Sequence, residues 1–291
     1  MKRTLENERL LIEVEKLGSQ LVRVYDKEKQ REVLWEGNPE FWGKHSPILF
    51  PMIGCCYNGV YCLDGQEYEM PSHGFAAKTN FEFVETEGEI TAVLKDSEES
   101  RKVYPFSFAL TVNHKLSGNQ VIVSWKVENT SDKTMYYSIG GHPGFMMQEG
   151  VDKTDMYLCF PGRTELPYIL ISQDGSKCAN TEKVYTMPLD EDGCIKVTEH
   201  FWDNDAYIYE HQNIEKVALY NPDKTPYVTV HCGDFPYLGI WAKPNAPFIC
   251  IEPWFGRCDD HGFMGELKDK TGICTLEAGK SQEYSYIIEI A

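Results

Sequence analysis

Between residues 108 and 127 the apolar side chains fall two apart. Phe108, Leu110, Val112 and Leu116 alternate with more polar neighbours, and after the turn Ser117-Gly118-Asn119 the alternation resumes at Val121, Val123, Trp125 and Val127. A period of two is that of a half-buried strand, and two such runs joined by a short glycine-containing turn predict a hairpin. The same reading places strands over residues 10–16, 20–26, 79–86, 90–95, 155–160, 205–210, 215–220, 226–232, 237–241, 248–252 and 282–290. Convincing amphipathic helices are nearly absent. Many strands punctuated by Gly, Pro, Asn and Asp predict an all-β chain folded as a large antiparallel β-sandwich. No flexible linker, fixed-period repeat or low-complexity tract interrupts the pattern, so residues 1–291 are expected to form a single domain. The acidic run Asp96-Ser97-Glu98-Glu99-Ser100 reads as a solvated loop.

Composition narrows the range of partners. Hydrophobic residues make up 42% of the chain and aromatics 13%, which suits a packed globular core. A formal charge of -17 repels nucleic-acid phosphates and anionic membrane surfaces, so neither is an expected partner, whereas a neutral small molecule meets no such barrier. No stretch is apolar enough to cross a bilayer as a helix, and the basic residues near the start precede no apolar segment. A cytoplasmic location is therefore expected. The ten cysteines are scattered without a C-x-x-C pair, so they read as reduced, buried thiols, and neither a disulfide framework nor a zinc site is expected.

Three segments set an ionisable side chain among glycines, prolines and aromatics: Met70-Pro71-Ser72-His73-Gly74-Phe75, Ser138-Ile139-Gly140-Gly141-His142-Pro143-Gly144-Phe145, and Pro247-Phe248-Ile249-Cys250-Ile251-Glu252-Pro253-Trp254-Phe255-Gly256. Each alone reads equally well as a turn or a strand end. Glu252 is the most suggestive, because it follows an apolar strand-like run and precedes Pro253-Trp254-Phe255. A carboxyl at the mouth of an aromatic-lined pocket has its pKa raised toward neutrality and becomes a usable base.

Taken together and in this order, with Leu34-Trp35-Glu36-Gly37-Asn38-Pro39-Glu40-Phe41-Trp42, Ser46-Pro47-Ile48-Leu49-Phe50-Pro51, Asn204-Asp205-Ala206 and Phe235-Pro236-Tyr237-Leu238-Gly239-Ile240-Trp241, the segments resemble the aldose 1-epimerase (mutarotase-like) family. The likeness is greatest to the branch related to lactose-operon proteins and covers nearly the whole chain. It implies a galactose mutarotase-like β-sandwich with an open cleft on one sheet, no metal and no organic cofactor. It matches His73, His142 and Glu252 to the family's catalytic groups and Asp205 to an aspartate that binds sugar hydroxyls. Trp254 and Phe75 are further candidates to face the sugar ring. In one respect the chain departs from the family, which usually has Arg or Lys after the glycine of F-P-x-x-G. Here Pro51-Met52-Ile53-Gly54 leads into Cys55-Cys56, so another donor, Lys78 or Arg257, is a candidate replacement.

The expected activity is interconversion of the α and β anomers of a free aldohexose, the aldose being the only partner expected. Glu252 would accept the anomeric proton, His142 would protonate the ring oxygen, and His73 would orient it. Rival readings are a non-catalytic sugar-binding protein, a glycosidase using Glu252 with Asp205, and an epimerase of hexose 6-phosphates. The loss of the cation at Cys55 favours an uncharged sugar. A metal-dependent cupin-like enzyme has little support, because the eight histidines include no H-x-H pair. Monomer and weak homodimer remain equally open.

Overall fold

The computed structural model describes residues 1–291. Two large sheets enclose one continuous apolar core. The first has nine strands in the order Cys194–Lys196, Tyr157–Cys159, Lys216–Tyr220, Pro226–His231, Ser281–Ile290, Gln120–Asn129, Phe108–Ser117, Glu89–Lys95 and Glu82–Val84. The second has eight. Seven follow the order Ala179–Pro188, Glu165–Ile171, Tyr207–Glu210, Tyr237–Trp241, Phe248–Phe255, Ile139–Gly141 and Ile48–Leu49, and Gly144–Met146 also pairs with Phe248–Phe255. Every ladder between these strands is antiparallel, as the hairpin-rich sequence pattern requires. A smaller sheet of Lys2–Glu6, Leu10–Glu15, Leu21–Asp26 and Arg31–Glu32 turns Leu10, Ile12 and Val14 into the same core.

The side-chain period explains which faces are dry. Gln120–Asn129 buries every second residue, so Val121, Val123, Trp125 and Val127 reach the core while its other face meets solvent. Phe248–Phe255 differs, being buried nearly throughout. Its Ile249 and Ile251 join the main core, and its Phe248, Cys250 and Trp254 belong to separate apolar clusters on the opposite face. A strand dry on both faces loses the polar/apolar alternation. Glu252 is the one acidic side chain within it.

The expected strands are all present, with ends shifted by a few residues. The pair Glu165–Ile171 and Ala179–Pro188 was not expected. Pro167 interrupts the first, and the second is a largely exposed edge strand without apolar alternation, so neither shows the signal of a half-buried strand. The acidic run is no simple loop either. It opens the only α-helix, Glu98–Val103, where the side chains of Ser97 and Ser100 cap each other's backbone N–H groups. The cysteines need a further correction: Cys159 and Cys194 form a disulfide. They sit directly opposite each other on neighbouring strands, with Cα atoms 4.0 Å apart, a closeness that a separation of 35 residues does not reveal. The other eight are free. No helix is long and apolar enough to cross a membrane.

One core histidine gives the fold a pH signature. His114 faces inward from Phe108–Ser117, opposite Val123 and Ile90, with Nδ1 unpartnered, and burial pushes its pKa down to about 3. Between pH 6.5 and about 3 the unfolded chain binds a proton there that the native chain refuses. Stability therefore rises with pH across that window and is lost as the pH falls. Urea unfolding should show His114 contributing up to about 1.4 kcal/mol per pH unit. His114→Leu should flatten the slope; an unchanged slope would mean that other groups cause the acid sensitivity.

Candidate active site

The outer face of the second sheet forms a cleft of about 270 Å³, and Phe248–Phe255 runs across its floor. Glu252 lies between two apolar clusters. On one side are Trp254, Ile53, Ile208 and Cys258; on the other are Trp35, Phe248 and Cys250, with Trp42 and Trp241 packed against them. Trp254 can lie low on the sheet because the strands on either side present glycines beneath it. A Cβ at Gly239 would stand 2.3 Å from the indole and one at Gly140 2.5 Å from it. Gly140 pairs with Trp254 itself, and Gly239 pairs with Glu252.

Irregular backbone positions the two histidines. His73 has a left-handed φ of 64°, and the next residue is glycine because a Cβ at Gly74 would lie 2.2 Å from the Phe50 carbonyl oxygen. The His73 amide donates to Gly54 O at 2.8 Å, and the Gly54 amide donates to His73 Nδ1 at 3.2 Å. With Nδ1 accepting, the neutral ring carries its proton on Nε2. His142 links Ile139–Gly141 to Gly144–Met146, and its amide donates to Pro47 O at 3.1 Å. Its ring stacks on Trp42 at 4.7 Å between centroids and meets Trp241 edge-on at 5.5 Å. His73 and His142 are 5.7 Å apart, edge to face.

His142 Nε2 and Glu252 Oε2 are 3.3 Å apart, with the residues 7% and 2% exposed. Burial pushes the Glu252 carboxyl well above its usual range, and the negative charge of Asp205 pushes it further. The Trp254 indole N–H opposes this, although it completes no hydrogen bond. Burial holds the His142 imidazole well below its usual value, helped by the nearby His73 and Lys44. Both effects favour a neutral pair sharing one proton over an ion pair. His73 is pushed down to about 4, by burial first and then by Lys44, Lys78 and Lys177. His142 Nδ1 and Trp254 Nε1 are buried without a hydrogen-bond partner.

Five of the six expected residues meet at this cleft: Glu252, His142, His73, Asp205 and Trp254. Phe75 does not. Its ring packs on Phe50, Tyr104 and Phe108, within the core, because the bend at His73-Gly74 turns the two neighbouring side chains to different sides. Arg257 is also elsewhere, its guanidinium taken up by Glu210, Asp260 and the Cys258 carbonyl. Trp42, Trp241, Ser72, Ile171 and Lys177 line the cleft without having been anticipated as site residues, and Cys55 lines it where a cation is usual. The tryptophans do lie in the motif segments. Lys177 lies in a loop that no motif marks. Donor atoms of His142, Cys250 and Glu252 lie within 4.8 Å of one another and could hold a metal, but burial keeps the Cys250 thiol protonated, and an ion there would occupy both members of the pair.

The antiparallel β-sandwich that carries this cleft has the architecture of galactose mutarotase-like proteins. The chain belongs to the aldose 1-epimerase family, whose profile matches residues 1–261. It is 29% identical to the plasmid-encoded protein LacX of Lactococcus lactis subsp. lactis, with 98% of each chain covered. Among solved structures it is similar to a galactose mutarotase related enzyme from Lactobacillus acidophilus, with TM-score 0.93, 34% identity, and 100% of this chain and 97% of that one covered. It is also similar to a galactose mutarotase-like protein from Lactobacillus casei, with TM-score 0.91, 28% identity and both chains fully covered.

The glycine platform under Trp254 can be tested apart from activity. Gly239→Ala should cost about 1–3 kcal/mol of stability in urea unfolding, as overpacking does. In a Trp254→Leu background the same change should cost much less, since the ring it strikes is gone. Equal costs in the two backgrounds would show that the indole does not depend on the glycine.

Proposed function

We propose that the protein is an aldose 1-epimerase that opens and recloses the ring of a free aldose, with Glu252 and His142 as its base and acid. The observation that carries this reading is the 3.3 Å contact between two buried, oppositely shifted titratable groups on the floor of a sugar-sized cleft. Family membership and the mutarotase-like neighbours support the same chemistry.

Ring opening moves two protons. One leaves the anomeric hydroxyl, and one arrives on the ring oxygen as the C1–O5 bond breaks and C1 becomes a carbonyl. The pair meets this requirement with a single proton of its own. With that proton on His142, Glu252 is a carboxylate that accepts from O1 while the imidazolium donates to O5. The open-chain aldehyde then faces a neutral carboxylic acid and a neutral imidazole, the form that burial favours. Rotation about C1–C2 presents the other carbonyl face, and reversing both transfers closes the ring as the other anomer. His73, neutral above about pH 4 with Nε2–H free to donate, orients the sugar oxygens. Asp205 accepts from ring hydroxyls, and Trp254, Trp42 and Trp241 supply the apolar walls.

Exchange NMR between the anomers of glucose and galactose should show acceleration above the buffer rate. Glu252→Gln should lose about 10²–10⁴-fold of it; near-normal turnover in that variant would remove Glu252 from the chemistry, and no acceleration by the wild type would favour a binding role. The active form holds one proton on the pair. It is lost at low pH, when depressed His142 finally protonates, and at high pH, when raised Glu252 finally ionises. The profile of kcat/KM should thus be a plateau spanning neutrality and wider than the interval between the ordinary pKa values of the two groups. A narrow optimum between pH 4.5 and 6.5 would contradict the neutral-pair assignment.

A further inference from the structure

Three donors of different chemistry meet at the floor of the cleft. A ring nitrogen of His142, a carboxylate oxygen of Glu252 and the Cys250 sulfur all lie within 4.8 Å of one another. Strand geometry brings them together. Residues two apart on a strand share a face, so Cys250 and Glu252 project together from Phe248–Phe255. Gly144, two residues beyond His142, pairs with Cys250, and a Cβ there would stand 3.4 Å from the sulfur. His142 and Glu252 line the cleft, whereas Cys250 is fully buried. The proton transfers proposed above use the first two and leave Cys250 without a task.

The spacing suits a small tetrahedral cation. Zinc–nitrogen and zinc–oxygen bonds of about 2.0–2.2 Å, at a tetrahedral angle, set two such donors about 3.3–3.5 Å apart. His142 Nε2 and Glu252 Oε2 already stand 3.3 Å apart. A thiolate on the same ion would stand about 3.6 Å from each of them. The 4.8 Å limit therefore leaves at most about 1 Å to be closed by side-chain rotation. Charge agrees with distance. A dication held by one thiolate, one carboxylate and one neutral imidazole forms a centre of no net charge, which apolar surroundings tolerate better than either anion alone.

We propose that Cys250, His142 and Glu252 form a binding site for a borderline-soft divalent cation, zinc above all, and that its occupancy blocks the cleft's proton transfers. Binding displaces one proton from the Cys250 thiol and one from the Glu252 carboxyl. Metal–sulfur, metal–oxygen and metal–nitrogen bonds form, no electron changes hands, and the fourth position is left to water. The ion takes the imidazole lone pair and the carboxylate oxygen that ring opening requires, so the metal-bound protein is inactive; this blocking role alone rests on the epimerase reading. Thiolate and imidazole favour zinc over magnesium and calcium, which take oxygen donors. The sequence expectation of no zinc site rested on cysteine spacing, which carries no information on donors that meet only across a sheet.

Cobalt(II), a spectroscopic stand-in for zinc, is titrated into the metal-free full chain. Wild type should develop a thiolate-to-cobalt charge-transfer band in the near ultraviolet, and Cys250→Ala should lack it. Cys55→Ala, which removes a thiol that lines the cleft, should keep it. Zinc, read by displacement of cobalt and by calorimetry, should bind Cys250→Ala at least about 100-fold more weakly than wild type, beyond the about 10–100-fold that losing an outer-shell partner costs. Exchange NMR of glucose anomers, with each protein compared with its own metal-free rate, should show zinc slowing the wild type, a chelator reversing this, and Cys250→Ala resisting it. A band absent from wild type, or one that survives in Cys250→Ala, overturns the site. If Cys250→Ala does not fold, Glu252→Gln decides, and zinc bound there as tightly as by wild type overturns the site. Zinc that accelerates exchange overturns the blocking role. A Cys250-dependent band in a protein that accelerates no exchange upholds the site and overturns the epimerase reading.

Discussion

A carboxyl and an imidazole 3.3 Å apart, both nearly withdrawn from water, set the terms for the rest of this protein. In water they would form a modest ion pair. Between two apolar clusters, burial opposes both charges and favours the neutral carboxylic acid beside the neutral imidazole. That state costs least when the site is empty, and it is also the state left when a hemiacetal has opened. In the proposed reaction this environment favours the open-chain intermediate, and the charged form is needed only at the moment of proton transfer. Asp205 adds to the asymmetry by discouraging a second negative charge on Glu252.

Keeping this pair dry is the work of the sheet. Phe248–Phe255 is covered on both faces, so a glutamate can sit in it only with neighbours that exclude solvent on the outer side. Trp254 lies over Gly140 and Gly239, while Trp42 and Trp241 flank His142. The other large sheet supplies the backing for this construction through the shared core, to which Ile249 and Ile251 belong along with Val123 and Trp125. Backbone hydrogen bonds between residues 54 and 73, and between 47 and 142, tie the two histidines to the same loop system.

Strands such as Phe108–Ser117 and Gln120–Asn129 were legible because one face is wetter and alternation survives. The short strands Ile48–Leu49, Ile139–Gly141 and Gly144–Met146, which bring His142 to the cleft, are too short to carry a period. Glu252, His142, His73, Asp205 and Trp254, which line the cleft, stood out in the sequence as chemistry-bearing residues in recognisable motifs. Phe75 was misplaced because a motif fixes neighbours in sequence and not the direction of a side chain after a left-handed bend. Lys177 was out of reach for the opposite reason: it lies in an unmarked loop between two strands that themselves lack alternation, and only the folded sheet brings it to Cys55 and His73. The Cys159–Cys194 bond was hidden in the same way, by strand register.

Difference infrared spectroscopy of the Glu252 carboxyl, comparing wild type with Glu252→Gln at pH 7, tests the central claim most directly. The account predicts a protonated carboxylic acid band in the sugar-free protein that is absent from the variant. A carboxylate band at neutral pH would contradict it, because the pair would then be an ion pair that burial had failed to neutralise.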